Sequence, residues 1–300
     1  MLDNINILIM APVYNLALII DGLLIGSVYA LMAYGLALVW GVMNVKNLAQ
    51  GGFVMAGGYV CWWLGENGIH PFIGLVAAAA VLWVLGYVVF KIVVRQVLDR
   101  DLFTSLLATF GVAIVTEQVL NILFTSDTRS INLGYESLTF AGGAVNLPVQ
   151  KIGAFVLAAV LAVALALFMK RSRMGQAIRA TAQNPRAARV MGIDTERVYA
   201  FTYSLNAAIC GASGALVAMI WLIQPFYGLA YAIRAFVIVT AAGLGNLPGV
   251  IVAGLGMGVI EQYGGFILGA TFQQAIVVGL LIVVLAVRMA QAQMRREIVQ

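Results

Sequence analysis

A 300-residue chain that is 63% hydrophobic and 10% charged, with a mean hydropathy of +1.00, cannot build a water-facing surface. Soluble domains carry roughly 25% charged residues. The net charge of +5 gathers in loops and in the C-terminal tail between apolar runs, which excludes a nucleic-acid surface and leaves the bilayer as solvent. The composition predicts an all-α, polytopic helical membrane protein forming one membrane domain over 1–300, with about eight or nine transmembrane segments, some of them Gly-broken or re-entrant.

Taken in chain order, the start with Asp3 and no basic region does not look like a cleaved signal peptide, so the first span is expected to act as an uncleaved anchor. Residues 16–43 are long enough to cross the hydrocarbon core. Asn44 to Gly52 is polar and Gly-rich, and Lys46 marks it as cytoplasmic. The block 51–65 is short and reads as interrupted by Gly51, Gly52, Gly57 and Gly58. A span over 72–94 ends at Lys91 and Arg95, with Arg100 in the same inside loop. Residues 102–124 return outward, and 125–151 form the longest extracytoplasmic stretch. Residues 152–169 come back in and end at Lys170. After a basic loop, 199–223 go out and Gln224, Pro225 and Gly228 punctuate a turn. The block 232–263 is broken at Gly243-Leu244-Gly245-Asn246-Leu247-Pro248-Gly249, which leaves 232–242 too short for an assured span. Residues 271–288 make the last crossing, and Arg288, Arg295 and Arg296 place the C-terminus inside by the Lys/Arg bias of cytoplasmic loops.

The loop 170–198 holds seven of the seventeen basic side chains: Lys170, Arg171, Arg173, Arg179, Arg186, Arg189 and Arg197. Met174, Ala177, Ile178 and Val190 recur at helical spacings within it. Asn184 before Pro185 is a helix start, with Asn as cap and Pro in the first turn. Gly192 sits where a left-handed C-terminal cap is expected, and Asp194 or Thr195 can cap the next span. Two short surface helices are predicted, with Ala187 and Ala188 small enough to enter a partner's groove. A basic loop that only fixes topology would need none of this capping, which favours docking.

A weak internal echo links Asn47-Leu48-Ala49-Gln50-Gly51-Gly52 with Asn246-Leu247-Pro248-Gly249. Paired Gly/Pro-interrupted segments point to a substrate pathway in repeat-built transporters, although small residues equally serve close helix packing. Asp21 and Arg234 are expected to reach the outer interface. Glu117, Gln118 and Asn121 form a polar stripe, and Glu261 follows a Gly-rich run. Charge inside a membrane is costly, so these are pathway or subunit-interface candidates together with Asn47, Gln50, Gly51, Gly245, Asn246 and Gly249. No Gly-x-x-x-x-Gly-Lys-Ser/Thr loop is present. His70, the only histidine, reads as a loop residue, and Cys61 and Cys210 read as small core residues. No catalytic residue, metal site or cofactor is therefore expected in this chain.

The run Arg173-Met174-Gly175, then Arg179-Ala180, Asn184, Ala187-Ala188 and Gly192-Ile193, resembles the cytoplasmic coupling loop of bacterial branched-chain amino acid ABC-transporter permeases. Gly26-Ser27-Val28-Tyr29-Ala30-Leu31, Gly35-Leu36, Gly41-Val42, Asn47-Leu48-Ala49 and the 243–249 run agree with that family, most closely with its shorter, LivH-type half. The chain departs from the family at Ala49-Gln50-Gly51, where Ala-His-Gly is usual, and at Arg288-Met289-Ala290, where a Pro-x-Gly-Leu-Phe-Gly ending is usual. The resemblance implies an importer in the bacterial inner (cytoplasmic) membrane. Its expected partners are a second permease subunit (identical or different), two cytoplasmic ATP-binding subunits, a periplasmic solute-binding protein and membrane lipid. It makes Gly175, Arg179, Ala180, Asn184, Ala187, Ala188, Gly192 and Ile193 the ATPase-coupling residues. The alternatives are a permease for urea, short amides or other small polar solutes, and an ion-coupled secondary transporter using Glu117 or Glu261 as a relay.

Overall fold

The computed structural model describes residues 8, 10–98, 100–131, 134, 137–140, 145–243 and 245–297; Asp3 and Leu244 lie outside them. Eleven α-helices carry the fold among the described residues: α1 Pro12–Met43, α2 Gln50–Glu66, α3 Pro71–Val97, α4 Leu102–Phe124, α5 Val149–Arg171, α6 Arg173–Gln183, α7 Pro185–Val190, α8 Thr195–Ile220, α9 Gly228–Ala242, α10 Leu247–Leu268 and α11 Gln273–Glu297. Among the described residues, eight helical stretches are long and apolar enough to cross a membrane. The chain is thus the helical, multi-spanning protein that its composition demands. A small antiparallel hairpin, β1 Ser137–Phe140 with β2 Val145–Pro148, pairs Ser137 with Pro148 and Phe140 with Val145. It was not foreseen in the 125–151 stretch.

Helix starts follow local chemistry. Pro occupies the first turn of α1, α3, α7 and α10, where its missing N–H has no partner to lose. Asp101 caps α4, accepting the Thr104 amide at 3.1 Å. Inside α3 a π-turn spans Phe90–Val94. It turns the fully buried Phe90 toward Tyr203, whose ring centroid lies 6.2 Å away.

Small residues set the packing, as expected where lipid is as apolar as the helices themselves. On α1 and α10, Gly22 and Gly26 face Gly254 and Gly258; a Cβ on Gly26 would lie 2.8 Å from the Leu255 Cα. On α2 and α8, a Cβ on Gly57 would lie 2.4 Å from the Gly211 Cα. The glycines of α2 therefore do not interrupt it: the helix is continuous over seventeen residues, a correction to the sequence reading. Each glycine supplies a flat place for a neighbouring backbone instead. Gly51, expected to expose its backbone to a pathway, lies against the Gly228 carbonyl.

The packing repeats with reversed direction. Helix α1 lies along α10 and beside α9, while α8 lies along α3 and beside α2. Likewise α2 meets α3 and α4 as α9 meets α10 and α11, with α1 against α8 and α2 against α9 at the centre. Since α1 and α8 run in opposite senses, α1–α4 and α8–α11 form an inverted pair, a device common among transporters. The pairing differs from the echo seen in sequence. The turn before α3, with Gly68 and the cap His70, corresponds to that before α10, with Gly245 and the cap Asn246. Both glycines hold φ of +79°. The Asn47–Gly52 segment has its counterpart in 221–228 instead.

The segment between α1 and α2 is not a solvated loop. Val45, Asn47 and Ala49 are at most 3% exposed, so this hook of irregular backbone is enclosed by protein, the setting in which a membrane domain tolerates such backbone. Thr109 of α4 donates to the Lys46 carbonyl at 3.1 Å and accepts the Leu48 amide at 3.2 Å. The Tyr203 hydroxyl of α8 donates to Asn47 Oδ1 at 3.2 Å, and Gln50 Nε2 donates to the Met32 carbonyl at 2.9 Å. Lys46 folds over the Trp40 and Phe236 rings, at 5.4 and 5.8 Å from their centroids.

Candidate functional site

Two places carry chemistry, at opposite ends of the bundle. The first is the basic end. Ser172 caps α6, accepting the Gly175 amide at 2.8 Å. Asn184 Oδ1 accepts the amides of Arg186 and Ala187, both at 3.0 Å. Gly192 takes φ of +82°, a conformation that favours glycine, and Asp194 caps α8 through the Arg197 amide at 3.1 Å. The unit is fixed to its neighbours by arginines. Arg179 donates to the Met169 carbonyl at the end of α5, and Arg189 Nε donates to Thr195 Oγ1 at 2.8 Å. Gly175 packs against the Phe168 and Met169 carbonyls, where a Cβ would stand 2.6 Å away.

This packing decides which face is free. Ile178 and Ala188 are buried at 1% and 4% exposure, so Ala188 is part of the protein's own interior, a correction to its expected place in a partner's groove. Ala187, on the other face, is exposed. The open tip is Val190 and Met191, at 87% and 81% exposure. Met191 was missed in the sequence, although an apolar residue directly before a Gly cap in a basic loop was a readable signal. Ala180 and Ile193 are half-buried beneath this tip.

At the other end a cavity of about 530 Å³ opens between α1, α9, α10 and the turn into α11. Arg234 and Glu261 meet there, with Nε at 3.1 and 3.2 Å from the two carboxylate oxygens and Nη2 on Oε1. Their side chains are only 13% and 6% exposed. The guanidinium lies 5.5 Å from the ring centroids of both Tyr29 and Tyr231, and Tyr29 stacks on Trp221 at 5.9 Å. Arg234 thus does not reach the outer interface as expected, because burial between two aromatic faces requires an ionic partner. Asp21 also has partners within the bundle. It accepts Lys151 Nζ of α5 and Gln262 Nε2 of α10, both at 2.6 Å.

The remaining pathway candidates are not gathered here. Asn47 and Gln50 belong to the hook, where Asn47 Nδ2 and Gln50 Oε1 are buried without a hydrogen-bond partner. Glu117 lines a separate groove of about 160 Å³ with Leu48 and Gly52. Gln118 points outward and Asn121 is half-buried. Gly245, Asn246 and Gly249 form the start of α10 at the basic end, where Asn246 Oδ1 accepts the Gly249 amide at 3.0 Å. Glu261 lies about 21 Å further along that helix at 1.5 Å per residue.

Residues 18–286 match the family described as branched-chain amino acid transport system / permease component. The chain belongs to this family. Among similar permeases is the high-affinity branched-chain amino acid transport system permease protein BraD of Pseudomonas aeruginosa, 28% identical, covering 93% of this chain and 96% of the relative. The LivH protein of Escherichia coli K12, of the same description, is 26% identical over 91% of this chain and 94% of its own length. A solved structure of PsaBC from Streptococcus pneumoniae in complex with Fab aligns with TM-score 0.51 at 11% identity, covering 94% of each chain; that likeness extends to the fold alone.

Proposed function

We propose that this chain is the membrane permease subunit of an ABC importer that moves branched-chain amino acids into the cell. The observation that carries the reading is the α6–α7 unit. Two capped helices are anchored by Arg179 to α5 and by Arg189 to α8, and their apolar tip, Val190 and Met191, is exposed in an otherwise basic surface. A tip anchored to two spanning helices transmits a push to both. On this reading a pair of ATP-binding subunits grips the tip, a second permease chain completes the pathway, and a solute-binding protein delivers cargo at the cavity end. The basic end faces the cytoplasm, together with the C-terminal end of α11, in the inner membrane of the cell. Nucleotide hydrolysis belongs to the ATP-binding subunits. The inverted repeat supports alternating access, in which one half-bundle rocks against the other.

The test is reconstitution of the permease with its ATP-binding and binding-protein partners in vesicles, followed by uptake of labelled leucine. Uptake that needs internal ATP and is lost in Met191→Glu, while Met191→Leu retains it, is the expected result. Concentrative leucine uptake by the permease alone would overturn the proposal.

A further inference from the structure

We infer that the cavity around Arg234 and Glu261 is a binding station for the zwitterionic head group of an α-amino acid, an assignment that rests on the import function proposed above. The first ground is the pair itself. Buried ion pairs add little stability over apolar residues of similar volume, and ionisable groups within membrane proteins cluster at functional pathways. Here the pair is not sealed in the core but lines an open cavity of about 530 Å³, within the size range of small-ligand sites.

The second ground is the hydrogen-bond inventory of the guanidinium, which carries five N–H donors in a planar fork. Glu261 takes the Nε–H and one Nη2–H, and the Ala230 carbonyl takes one Nη1–H at 3.3 Å. One N–H on each terminal nitrogen is left over. The terminal nitrogens therefore keep N–H groups for a carboxylate, the partner that guanidinium groups bind most strongly. Glu261, which also accepts a hydrogen bond from Tyr29, lines the cavity with a carboxylate that attracts an ammonium. A carboxylate on the arginine fork and an ammonium beside Glu261 match an α-amino acid charge for charge. The pair is neutral and so is the zwitterion, so no net charge enters the membrane with the solute. Ile25, Leu222 and Trp221 line the same cavity and give an aliphatic side chain an apolar wall.

The test uses the complete transporter in nanodiscs without its solute-binding protein, following tryptophan fluorescence during titration with leucine. Trp221→Phe identifies the part of the signal that arises in the cavity. Leucine is expected to give a saturable change. 4-Methylpentanoate, which lacks the ammonium, and isoamylamine, which lacks the carboxylate, are each expected to bind at least tenfold more weakly, since each forfeits a charge-assisted hydrogen bond. Arg234→Lys, which removes the fork, and Glu261→Gln, which removes the charge, should each raise the half-saturating leucine concentration at least tenfold. The double variant R234M/E261M leaves no lone charge and should abolish the cavity signal. Unchanged half-saturation in the double variant, or, if that variant does not fold, in both single variants, overturns the assignment, as does equal binding of the three probes. Leucine uptake by the wild-type complex is read separately. Head-group-dependent binding without uptake refutes the importer's cargo alone, and uptake with no head-group dependence in the cavity refutes this site alone.

Discussion

Gly214→Ala measures how tightly α2 and α8 are joined. A Cβ at residue 214 would stand 1.8 Å from the Val54 carbonyl oxygen and 2.8 Å from the Gly58 nitrogen, both backbone atoms, whereas ordinary contact begins at 3.4 Å. A methyl has no rotamer with which to escape, so the helices must separate by roughly 1.6 Å at that level. Overpacking a filled interior costs about 1–3 kcal/mol, and a clash between two backbones belongs at the upper end, near 3 kcal/mol. Gly256→Ala, on α10, is the matched control: its Cβ meets nothing within 4 Å, and Gly→Ala inside a helix gains up to about 1 kcal/mol. Denaturant unfolding of the purified chain in mixed micelles should therefore separate the two variants by about 3–4 kcal/mol, more than a hundredfold in the folded-to-unfolded ratio. If the two agree within about 0.5 kcal/mol, the close approach of α2 and α8 does not hold the fold together.

Other outcomes follow from single contacts. Asn184→Ala removes the acceptor of two amides and should cost about 1 kcal/mol, seen as roughly fivefold faster hydrogen exchange over 185–190, with uptake reduced and membrane insertion unchanged. Met191→Glu should abolish co-purification with the ATP-binding subunits while the permease elutes normally, because the residue makes no packing contribution at 81% exposure; retained co-purification would remove the tip from the interface. Tyr203→Phe deletes the hydroxyl that serves Asn47 and should destabilise by about 1–2 kcal/mol through the buried polar group left behind. Lys151→Ala should destabilise more than the double variant D21A/K151A, since the single change strands Asp21 in a site only 22% exposed; equal losses in a double-mutant cycle would deny the coupling.

What the sequence disclosed divides along physical lines. Caps at Asn184, Gly192 and Asp194 were legible because each is a local bond spanning two or three residues. The membrane class was legible because composition alone excludes a solvated surface. Gly51, Gly57 and Gly58 were misread because a glycine that ends a helix and one that lets a neighbour approach look alike until the neighbour is known. The Arg234–Glu261 and Asp21–Lys151 pairs join residues 27 and 130 positions apart, which no local pattern encodes. Ala187 and Ala188 are chemically identical, and only the seating of α7 against α6 and α8 makes one exposed and the other buried. Tyr29 and Tyr231 were missed as partners of Arg234, although Tyr231 stands three residues before it, one turn away on the same helix face.

Helix α2 is too short to register by hydropathy, and most of it never meets lipid. It nevertheless settles the parity of the chain. Asn15, near the start of α1, accepts a hydrogen bond from Tyr263 at the far end of α10, whereas Arg288 of α11 donates to the Ala241 carbonyl beside the near end of that helix. The two extremities of the bundle therefore emerge on opposite faces, as an odd number of traverses requires. A tally made from greasy segments alone would have put both on one side.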